Sequence, residues 1–247
     1  KLIYEHGFFD VLAPVHKGTI MNKRKPKKIL TQSNGMPIYQ LYIWIHDIHP
    51  IIWRRILVCA DSTIEDLHYT LQIAFGWEDL HLNVFHIHGQ QYGVYHDGGI
   101  SFMTDPKRVK LSDFNFYHNE RFRYEYDFGA GWVHEIRVEA FLEKNDKYSY
   151  PYCQQGHCKA PPEDCGGAFA FMEQRDSLPR QLYDLVDNVS DAIENNDLDA
   201  IRDYLEDMHA LQEWLTLEDF NRSQANCRLK HYAQHGNEHD YVWRWPE

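Results

Sequence analysis

The stretch Ile38–Val58 reads IYQLYIWIHDIHPIIWRRILV and contains the clearest strand pattern in the chain. Its first half alternates in character and is rich in aromatic and β-branched side chains, a pattern typical of a strand. The dipeptide His49-Pro50 predicts a turn, and the IIWRRILV that follows it predicts a second strand. We therefore predict an antiparallel pair of strands at this point of the chain.

A helix is predicted directly after this pair, in DSTIEDLHYTLQIAFGW. Ser62 and Glu65 fit a capping box, in which a hydroxyl and a carboxylate three residues later satisfy free N–H groups at a helix start. Gly76 is a plausible stop. Five apolar residues recur at helical spacing and predict the buried side of this helix, namely Ile64, Leu67, Leu71, Ala74 and Phe75.

Four further stretches predict strands. HLNVFHIHG and QQYGVYHD are short, whereas RFRYEYDFG and WVHEIRVEAFLE alternate with period two, which is typical of half-buried antiparallel strands. After Gly167 the pattern becomes helical, with breaks near Asn195-Asn196 and Leu215-Thr216. The order predicts an α+β fold: a mostly antiparallel β-sheet, one helix packed on it after the first hairpin, and a C-terminal helical segment.

Three regions follow from this pattern. Residues 1–37 lack sustained periodicity and are predicted to be a peripheral N-terminal arm with a basic linker. Residues 38–176 are predicted to form the α+β core domain, and residues 177–247 a C-terminal helical extension packed on the core.

Composition narrows the possible partners. The chain has 247 residues and a formal net charge of −12, which disfavours non-specific binding to a nucleic-acid backbone. The exception is MNKRKPKK, which is either a solvated linker or a nucleic-acid contact through Lys23, Arg24, Lys25, Lys27 and Lys28. No apolar run approaches the roughly 20 residues of a membrane span, so we expect no membrane partner. The start, KLIYEHGFFD, does not resemble a secretion signal.

The five cysteines do not form a disulfide framework, because their number is odd and two of them are isolated. We therefore expect reduced thiols and a cytoplasmic location. The other three lie in YCQQGHCKAPPEDCGG, residues 152–167. Cys153, Cys158 and Cys165 could bind a structural zinc with His157 or His134 as fourth ligand. The alternatives are an ordered apolar or capping role in a turn, or a reactive thiol.

The same stretch also predicts a rigid structural turn. Tandem prolines fix an extended segment, an acidic pair follows them, and the glycines permit backbone conformations closed to other residues. The predicted turn residues are Pro161, Pro162, Glu163, Asp164, Gly166 and Gly167.

Other chemical patterns are weaker. His86 and His88 share one face of a predicted strand, as metal ligands would, but alternation places them on its outward side. Asp127, His134 and Glu135 suggest acid–base chemistry, yet His134 and Glu135 point to opposite faces of one strand. The sequence contains no Gly-rich phosphate loop and no G-x-S-x-G elbow.

Five stretches stand together in the order of one family: YQLYIWIHDIHPIIWRRILV, TIEDLHYTLQIAFGWEDLHLNVFHI, FRYEYDFGAGWVHEIRVE, CQQGHCKAPPEDCGGAFAF and WLTLEDFNRSQAN. Over about residues 36–230, the chain resembles the Ri-plasmid open-reading-frame-three-like family. Some members of that family are labelled resolvase-like or insertion-element passenger proteins. The resemblance implies an α+β fold with a mostly antiparallel sheet, and it implies no agreed biochemical activity.

Two functional hypotheses follow. The first is a non-enzymatic binding or regulatory protein with another protein as partner, in the bacterial mobile-element or defence context that the resemblance implies. The second is a metal-dependent hydrolase or nuclease in which Asp127, His134, Glu163 and Asp164 converge. Convergence of these four side chains at one open site would favour the second hypothesis.

Overall fold

The structure is a computed structural model that describes residues 37–95, 99, 101–216 and 219–236. The predicted arm and linker, apart from Pro37, lie outside the described residues. The same holds for the basic side chains Lys23, Arg24, Lys25, Lys27 and Lys28.

One antiparallel sheet organises the described chain. Its strands are β1 (Ile38–Ile45), β2 (Trp53–Cys59), β3 (Asn83–Ile87), β4 (Gln90–Tyr92), β5 (Arg121–Tyr126), β6 (Trp132–Leu142) and β7 (Tyr152–His157). They lie in the order β4-β3-β5-β6-β1-β2-β7, and all neighbouring strands run antiparallel. The predicted hairpin, β1–β2, supplies the two strands beside β6 and β7 and is confirmed.

Helix α1 (Ile64–Phe75) follows the hairpin as predicted and buries all five of the predicted apolar residues against the sheet. Its start differs from the prediction by one residue. Thr63 is the N-cap, its hydroxyl accepts the Asp66 N–H at 3.1 Å, and the Asp66 carboxylate accepts the Thr63 N–H at 2.7 Å. The Ser62 carbonyl instead accepts the Leu111 N–H at 2.9 Å, so Ser62 belongs to the preceding turn. Gly76 ends the helix with φ of 80°, as predicted.

Strand β7 was not predicted from the sequence pattern. Its residues pair with β2, from Trp53↔His157 to Leu57↔Tyr152, with an irregularity between Arg55 and Ile56. Cysteine, glutamine and glycine carry little strand preference of their own. The extended conformation of β7 therefore depends on its hydrogen bonds to the edge of β2.

Within the described residues, three helices follow β7: α2 (Gly167–Glu194), α3 (Leu198–Leu215) and α4 (Arg222–His235). The predicted breaks at Asn195 and Thr216 are confirmed as the C-caps of α2 and α3. The last of these helices, α4, begins at Arg222. The Asn221 side chain caps it by accepting the Gln224 N–H at 3.0 Å.

The C-terminal helices pack in two ways. Helices α2 and α3 share an apolar cluster of Leu178, Leu185 and Leu211. Helix α4 instead packs on the core through Leu229 and Tyr232, which join a cluster with α1 and β7. Helix α2 is continuous through residues 176 and 177, so the predicted domain boundary falls inside one helix. None of the helices within the described ranges is long and apolar enough to cross a membrane.

Candidate functional sites

The Pro-Pro-Glu-Asp segment connects β7 to α2 and is held by two tryptophans. The Trp77 indole N–H donates to the Pro161 carbonyl at 2.9 Å, and the Trp132 indole N–H donates to the Glu163 carbonyl at 3.2 Å. Both indoles are buried in the main core. The segment is therefore fixed to the sheet and to the chain that leaves α1.

Glu163 extends this attachment through its carboxylate. The carboxylate accepts the Glu78 N–H at 2.7 Å, the Leu80 N–H at 3.3 Å and the Tyr126 hydroxyl. Burial raises the pKa of Tyr126, and the Glu163 carboxylate raises it further, so the phenol stays protonated and donates. The Glu163 carboxylate therefore connects the Pro-Pro-Glu-Asp segment to the loop after α1, which supplies two of these donors.

Gly167 shows why the glycine pair is needed at this place. Its φ is +92°, and a Cβ at this position would lie 2.2 Å from the Ala130 carbonyl oxygen. The start of α2 thus packs directly on the backbone of the β5–β6 turn. No residue with a side chain could take this position without moving that turn.

Asp127 and Asp164 converge on a histidine that the sequence analysis did not select. The His81 Nε2 lies 2.8 Å from Asp164 Oδ1 and 3.8 Å from Asp127 Oδ2. Asp127 also accepts the Gly129 N–H at 3.0 Å, which is a structural role in the turn after β5. His81 lies just before β3 and meets the two aspartates only through the fold, so no local sequence pattern marked it.

His134 lies apart from those carboxylates and is fully buried among aromatic rings. The ring centroids of Phe75, Trp77 and Tyr124 are 4.9, 5.2 and 5.4 Å from its own. Its Nδ1 lies 3.2 Å from the Trp132 carbonyl, whereas its buried Nε2 has no partner. Burial lowers the pKa of His134 to about 3, so its imidazole is neutral at neutral pH.

The four residues of the hydrolase hypothesis therefore do not share one open site. Asp127 and Asp164 face His81, Glu163 is occupied by N–H and hydroxyl donors, and His134 is enclosed. We do not propose this hypothesis further.

The predicted zinc ligands are also separated. Cys153 packs in the α1–β7–α4 cluster, whereas Cys158 and Cys165 belong to the main core around α1. Cys158 Sγ lies 3.1 Å from the His157 Nδ1, and Cys153 Sγ lies 3.4 Å from the Gln155 carbonyl oxygen. Among the described residues, no three His, Cys, Asp or Glu side chains form a group that could hold a metal. A zinc clip therefore stays an expectation from spacing alone.

The two strand histidines contact different carboxylates. His86 Nε2 lies 3.7 Å from Glu125 Oε2, and His88 Nε2 lies 2.5 Å from Glu120 Oε1. His88 has a positive φ of 51° in the turn after β3, so it does not continue the strand alternation. The predicted shared face therefore does not extend to His88.

A cleft of about 490 Å³ opens where the Pro-Pro-Glu-Asp segment meets the end of α1, the end of α3 and the start of α4. Aromatic side chains line it together with both signs of charge. The lining residues used below are Arg54, Phe75, Trp77, Lys159, Glu163, Trp214, Asp219, Phe220 and Arg228. We call this the inner cleft, because it lies on the α1 side of the sheet.

Arg54 is the buried charge of the inner cleft, with 1% of its surface exposed. Its Nε donates to the Ala74 carbonyl at 2.9 Å, and its Nη1 donates to the Trp53 and His157 carbonyls at 2.8 and 3.1 Å. The guanidinium also lies 3.7 Å from the centre of the Phe220 ring. Arg54 was not among the predicted site residues, although its position two and four residues before the apolar Ile56 and Val58 in β2 was a usable signal.

The comparisons with known proteins agree with the sequence resemblance. The model of the family described as "Plasmid pRiA4b ORF-3-like protein" matches residues 37–226. The chain belongs to this family. The matched region contains every inner-cleft residue named above except Arg228.

Two relatives extend this finding. The "Uncharacterized protein y4hQ" of Sinorhizobium fredii is 33% identical over 147 residues, which cover 57% of this chain and 73% of that protein. The crystal structure of the "Protein of Unknown Function MM3350" from Methanosarcina mazei Go1 is 29% identical, with a TM-score of 0.55. The match covers 76% of this chain and 96% of that one. Neither relative's description assigns an activity.

The opposite side of the sheet in this pRiA4b ORF-3-like chain carries two rows of polar and aromatic side chains. Strand register aligns Arg123, Glu135, Trp44 and Trp53 across β5, β6, β1 and β2. The second row consists of Arg121, Arg137, Tyr42, Arg55 and Gln155, with β7 at its end. We call these two rows, with Gln40, His46 and Glu139, the outer face.

Arginines of the outer face lie over its aromatic rings. Arg55 is 5.4 Å from the centres of both the Tyr42 and Trp53 rings, and Arg137 is 5.1 Å from the Tyr42 ring. Arg121 lies 5.4 Å from the Trp44 ring. At these distances each guanidinium is attracted by the ring quadrupole.

The carboxylates of the outer face lie beneath the arginines. Glu139 accepts from Arg55, Arg137 and Gln40 at 2.6, 2.8 and 2.9 Å. Burial opposes ionisation of Glu139, but these donors outweigh it and lower the pKa of its carboxyl to about 2. The outer face therefore contains a charged network around Glu139, whose carboxylate accepts from three side chains.

Proposed function

We propose that this chain is a binding protein whose outer face recognises an acidic, partly apolar surface of a partner protein. The main support for the proposal is that the arginines of this face are more exposed than the carboxylate between them. The Arg121 and Arg123 side chains are 54% and 63% exposed, whereas the Glu135 side chain between them is 12% exposed. A partner that approaches this face meets guanidinium groups and indole rings first.

The residue types support a protein partner. Tryptophan, tyrosine and arginine are the residues that most often dominate the binding energy of protein interfaces. On the outer face they come together in two rows, and the network holds their side chains before any partner arrives. Pre-organised side chains lose less conformational freedom on binding.

The cross-strand pairing supports an acidic partner. Arg121 and Arg137 are directly opposite each other on β5 and β6. Like charges in this position destabilise a sheet. The Arg121 Nη1 is only weakly compensated, at 3.9 Å from Glu135, and the Nε of Arg137 is buried without a partner. A carboxylate from a partner could pair with the exposed guanidinium of Arg121 and so offset its repulsion with Arg137.

A nucleic-acid backbone fits this face less well than a protein. Phosphate binding depends on several cations without nearby anions, and its strength grows with their number. Here Glu135 and Glu139 lie on the same face as the arginines, and the whole chain has a net charge of −12. The proposed regulatory role in a mobile-element or defence context rests on the plasmid association of the family alone.

Selection from a phage-displayed peptide library tests the proposal. We expect peptides that combine Asp or Glu with apolar residues, and we expect Arg121→Gln/Arg123→Gln to weaken their binding by about tenfold or more. The measurement is fluorescence anisotropy of a labelled selected peptide. Arg180→Gln/Arg202→Gln is the control, because it removes the same charge from exposed positions on α2 and α3.

Two results would contradict the proposal. One is a selected set of peptides without an acidic bias or with equal affinity for both variants. The other is displacement of the peptide by single-stranded DNA that itself depends on Arg121 and Arg123, which would make nucleic acid the ligand. A concentration-dependent mass in light scattering that the outer-face variant abolishes would identify a second copy of the chain as the partner.

A further inference from the structure

The inner cleft has features of a binding site that is independent of the outer face. We propose that it binds a small organic anion, with a carboxylate or phosphate group facing Arg54 and Arg228 and an apolar part against the surrounding aromatic rings. Its volume of about 490 Å³ lies within the range of roughly 300–1,000 Å³ that ligand sites occupy.

Arg54 is a charge without a counter-charge. Its guanidinium is held by three backbone carbonyls, and no carboxylate of the described residues forms an ion pair with it. Burial of an unpaired charge is costly, so the carbonyl groups compensate it only in part. An anion in the inner cleft would supply the missing negative charge. The three carbonyl bonds use the Nε and Nη1 hydrogens of Arg54, so its Nη2 is the group that would donate to the anion in a charge-assisted hydrogen bond.

Two further cations line the inner cleft. Lys159 is exposed, and Arg228 is half-buried with an Nε atom that has no hydrogen-bond partner. The carboxylates on the lining are Glu163, which is occupied by its own donors, and the exposed Asp219. The inner cleft is therefore cationic on balance, in a chain whose net charge is −12.

The aromatic lining favours a ligand with an apolar part next to its charge. Phe220 stacks on Arg54 at 3.7 Å, and Phe75 lies 4.9 Å from the same guanidinium. Trp77 and Trp214 complete the lining. Rings around a buried guanidinium exclude water from it and so strengthen its attraction for an anion.

Nuclear magnetic resonance of the full-length chain can test the inner cleft directly. The probes are N-acetylphenylalanine, its neutral amide, and phenyl phosphate. We expect the two acids to shift the indole N–H signals of Trp77 and Trp214, which line the cleft, and to leave those of Trp44 and Trp53 unchanged. We expect the amide to bind about tenfold more weakly or worse, because it lacks the charge.

A pair of matched variants assigns the effect to the cleft. Arg228→Gln should weaken binding of the acids by about tenfold, whereas Arg202→Gln, on the exposed side of α3, should not change it. Arg54→Met should abolish binding. Because Arg54 is buried, that variant is informative only if its thermal unfolding stays cooperative, and Arg228→Gln decides the matter otherwise.

A comparison of a peptide acid with phenyl phosphate identifies the chemical class of the anion. Tighter binding of a tetrapeptide that ends in phenylalanine would identify a peptide C-terminus, and tighter binding of phenyl phosphate would identify a phosphate ester. The proposal is wrong if acid and amide bind equally or if Arg228→Gln has no effect. It is also wrong if neither acid shifts the signals of Trp77 or Trp214 at a concentration of about 10 mM. That concentration exceeds the dissociation constant of about 1 mM that we expect for a small ligand. None of these results depends on the outer face.

Discussion

Arg54 and Arg55 are neighbours in the chain, yet they lie on opposite faces of β2 in opposite surroundings. Arg54 is 1% exposed and donates only to backbone carbonyls. The Arg55 side chain is 24% exposed and forms a two-point ion pair with Glu139. Because strand side chains alternate, one Arg-Arg dipeptide supplies a buried cation to the inner cleft and a paired cation to the outer face.

The difference shows how two kinds of recognition can share one sheet. The outer face compensates its charges internally and depends on exposed arginines and rings, so it suits a broad protein surface. The inner cleft keeps an uncompensated charge among aromatic rings, so it suits a small anion. The two proposed roles of one residue type follow from the difference in burial and in the nearby carboxylates.

The largest loss of stability is expected when Arg54 is removed, and the matched change at Arg55 should cost less. Arg54→Met should lower the free energy of unfolding by about 3 kcal/mol or more, because three buried carbonyls lose a charged donor. Arg55→Met should cost about 1 kcal/mol, since its ion pair is partly exposed and Glu139 keeps Arg137 and Gln40. Urea denaturation measures both values. Equal costs would show that burial does not separate the two arginines.

The pH dependence of stability should separate the two faces by their titration windows. His134 beside the inner cleft has a pKa lowered from 6.5 to about 3, chiefly by burial. The unfolded chain then binds the proton first, so the stability from this group is complete above pH 6.5 and falls as the pH is lowered towards 3. Between pH 6.5 and 5 we expect a loss of about 2 kcal/mol from this group.

The outer face should respond at lower pH. The carboxyl of Glu139 has a pKa lowered from 4.5 to about 2, so its contribution is present above pH 4.5 and is lost as the pH falls towards 2. His134→Phe should flatten the curve between pH 6.5 and 5, whereas the same change at the exposed His118 should not. Chemical denaturation at several pH values provides the test, and identical slopes in all three proteins would contradict this interpretation.

Local periodicity explains how much of the fold could be predicted. The β1–β2 hairpin, the buried side of α1 and the breaks between the last helices are local patterns, and the structure confirms them. Strand β7 could not be predicted, because pairing with β2 rather than its own residues makes it extended. The N-cap was misplaced by one residue because Ser62/Glu65 and Thr63/Asp66 both fit the same spacing.

The candidate sites were less predictable than the fold. The inner cleft combines Arg54, Trp77 and Phe220, which are distant in sequence and meet only through the packing of α4 and the Pro-Pro-Glu-Asp segment. Sequence reasoning selected the cysteines instead, because their spacing is a local signal. The alternation of side chains along β2 indicated that Arg54 points to the inner side of the sheet. It did not indicate which residues would pack against the guanidinium.

The smallest expected effect concerns the glycine that allows the Arg54–Phe220 stack. A Cβ at Gly156 on β7 would lie 2.5 Å from Phe220 Cε1 and 2.9 Å from Arg54 Cδ. Gly156→Ala should therefore displace the Phe220 ring and cost about 1–2 kcal/mol of unfolding free energy, as overpacked sites do. At Gly129, where the added Cβ would meet only Asp127 Oδ1 at 3.3 Å, the same substitution should change stability by less than about 0.5 kcal/mol.

A double-mutant cycle with Phe220→Leu shows whether the ring is the cause. Leucine lacks the Cε1 atom that a Cβ at Gly156 would meet most closely. The cost of Gly156→Ala should therefore shrink in the Phe220→Leu background, with a coupling of about 1 kcal/mol between the two sites. Additive costs in urea denaturation would mean that the alanine acts through Arg54 or the strand itself. The ring would then have no special part in holding the buried guanidinium, and the inner cleft would be shaped by β2 and β7 alone.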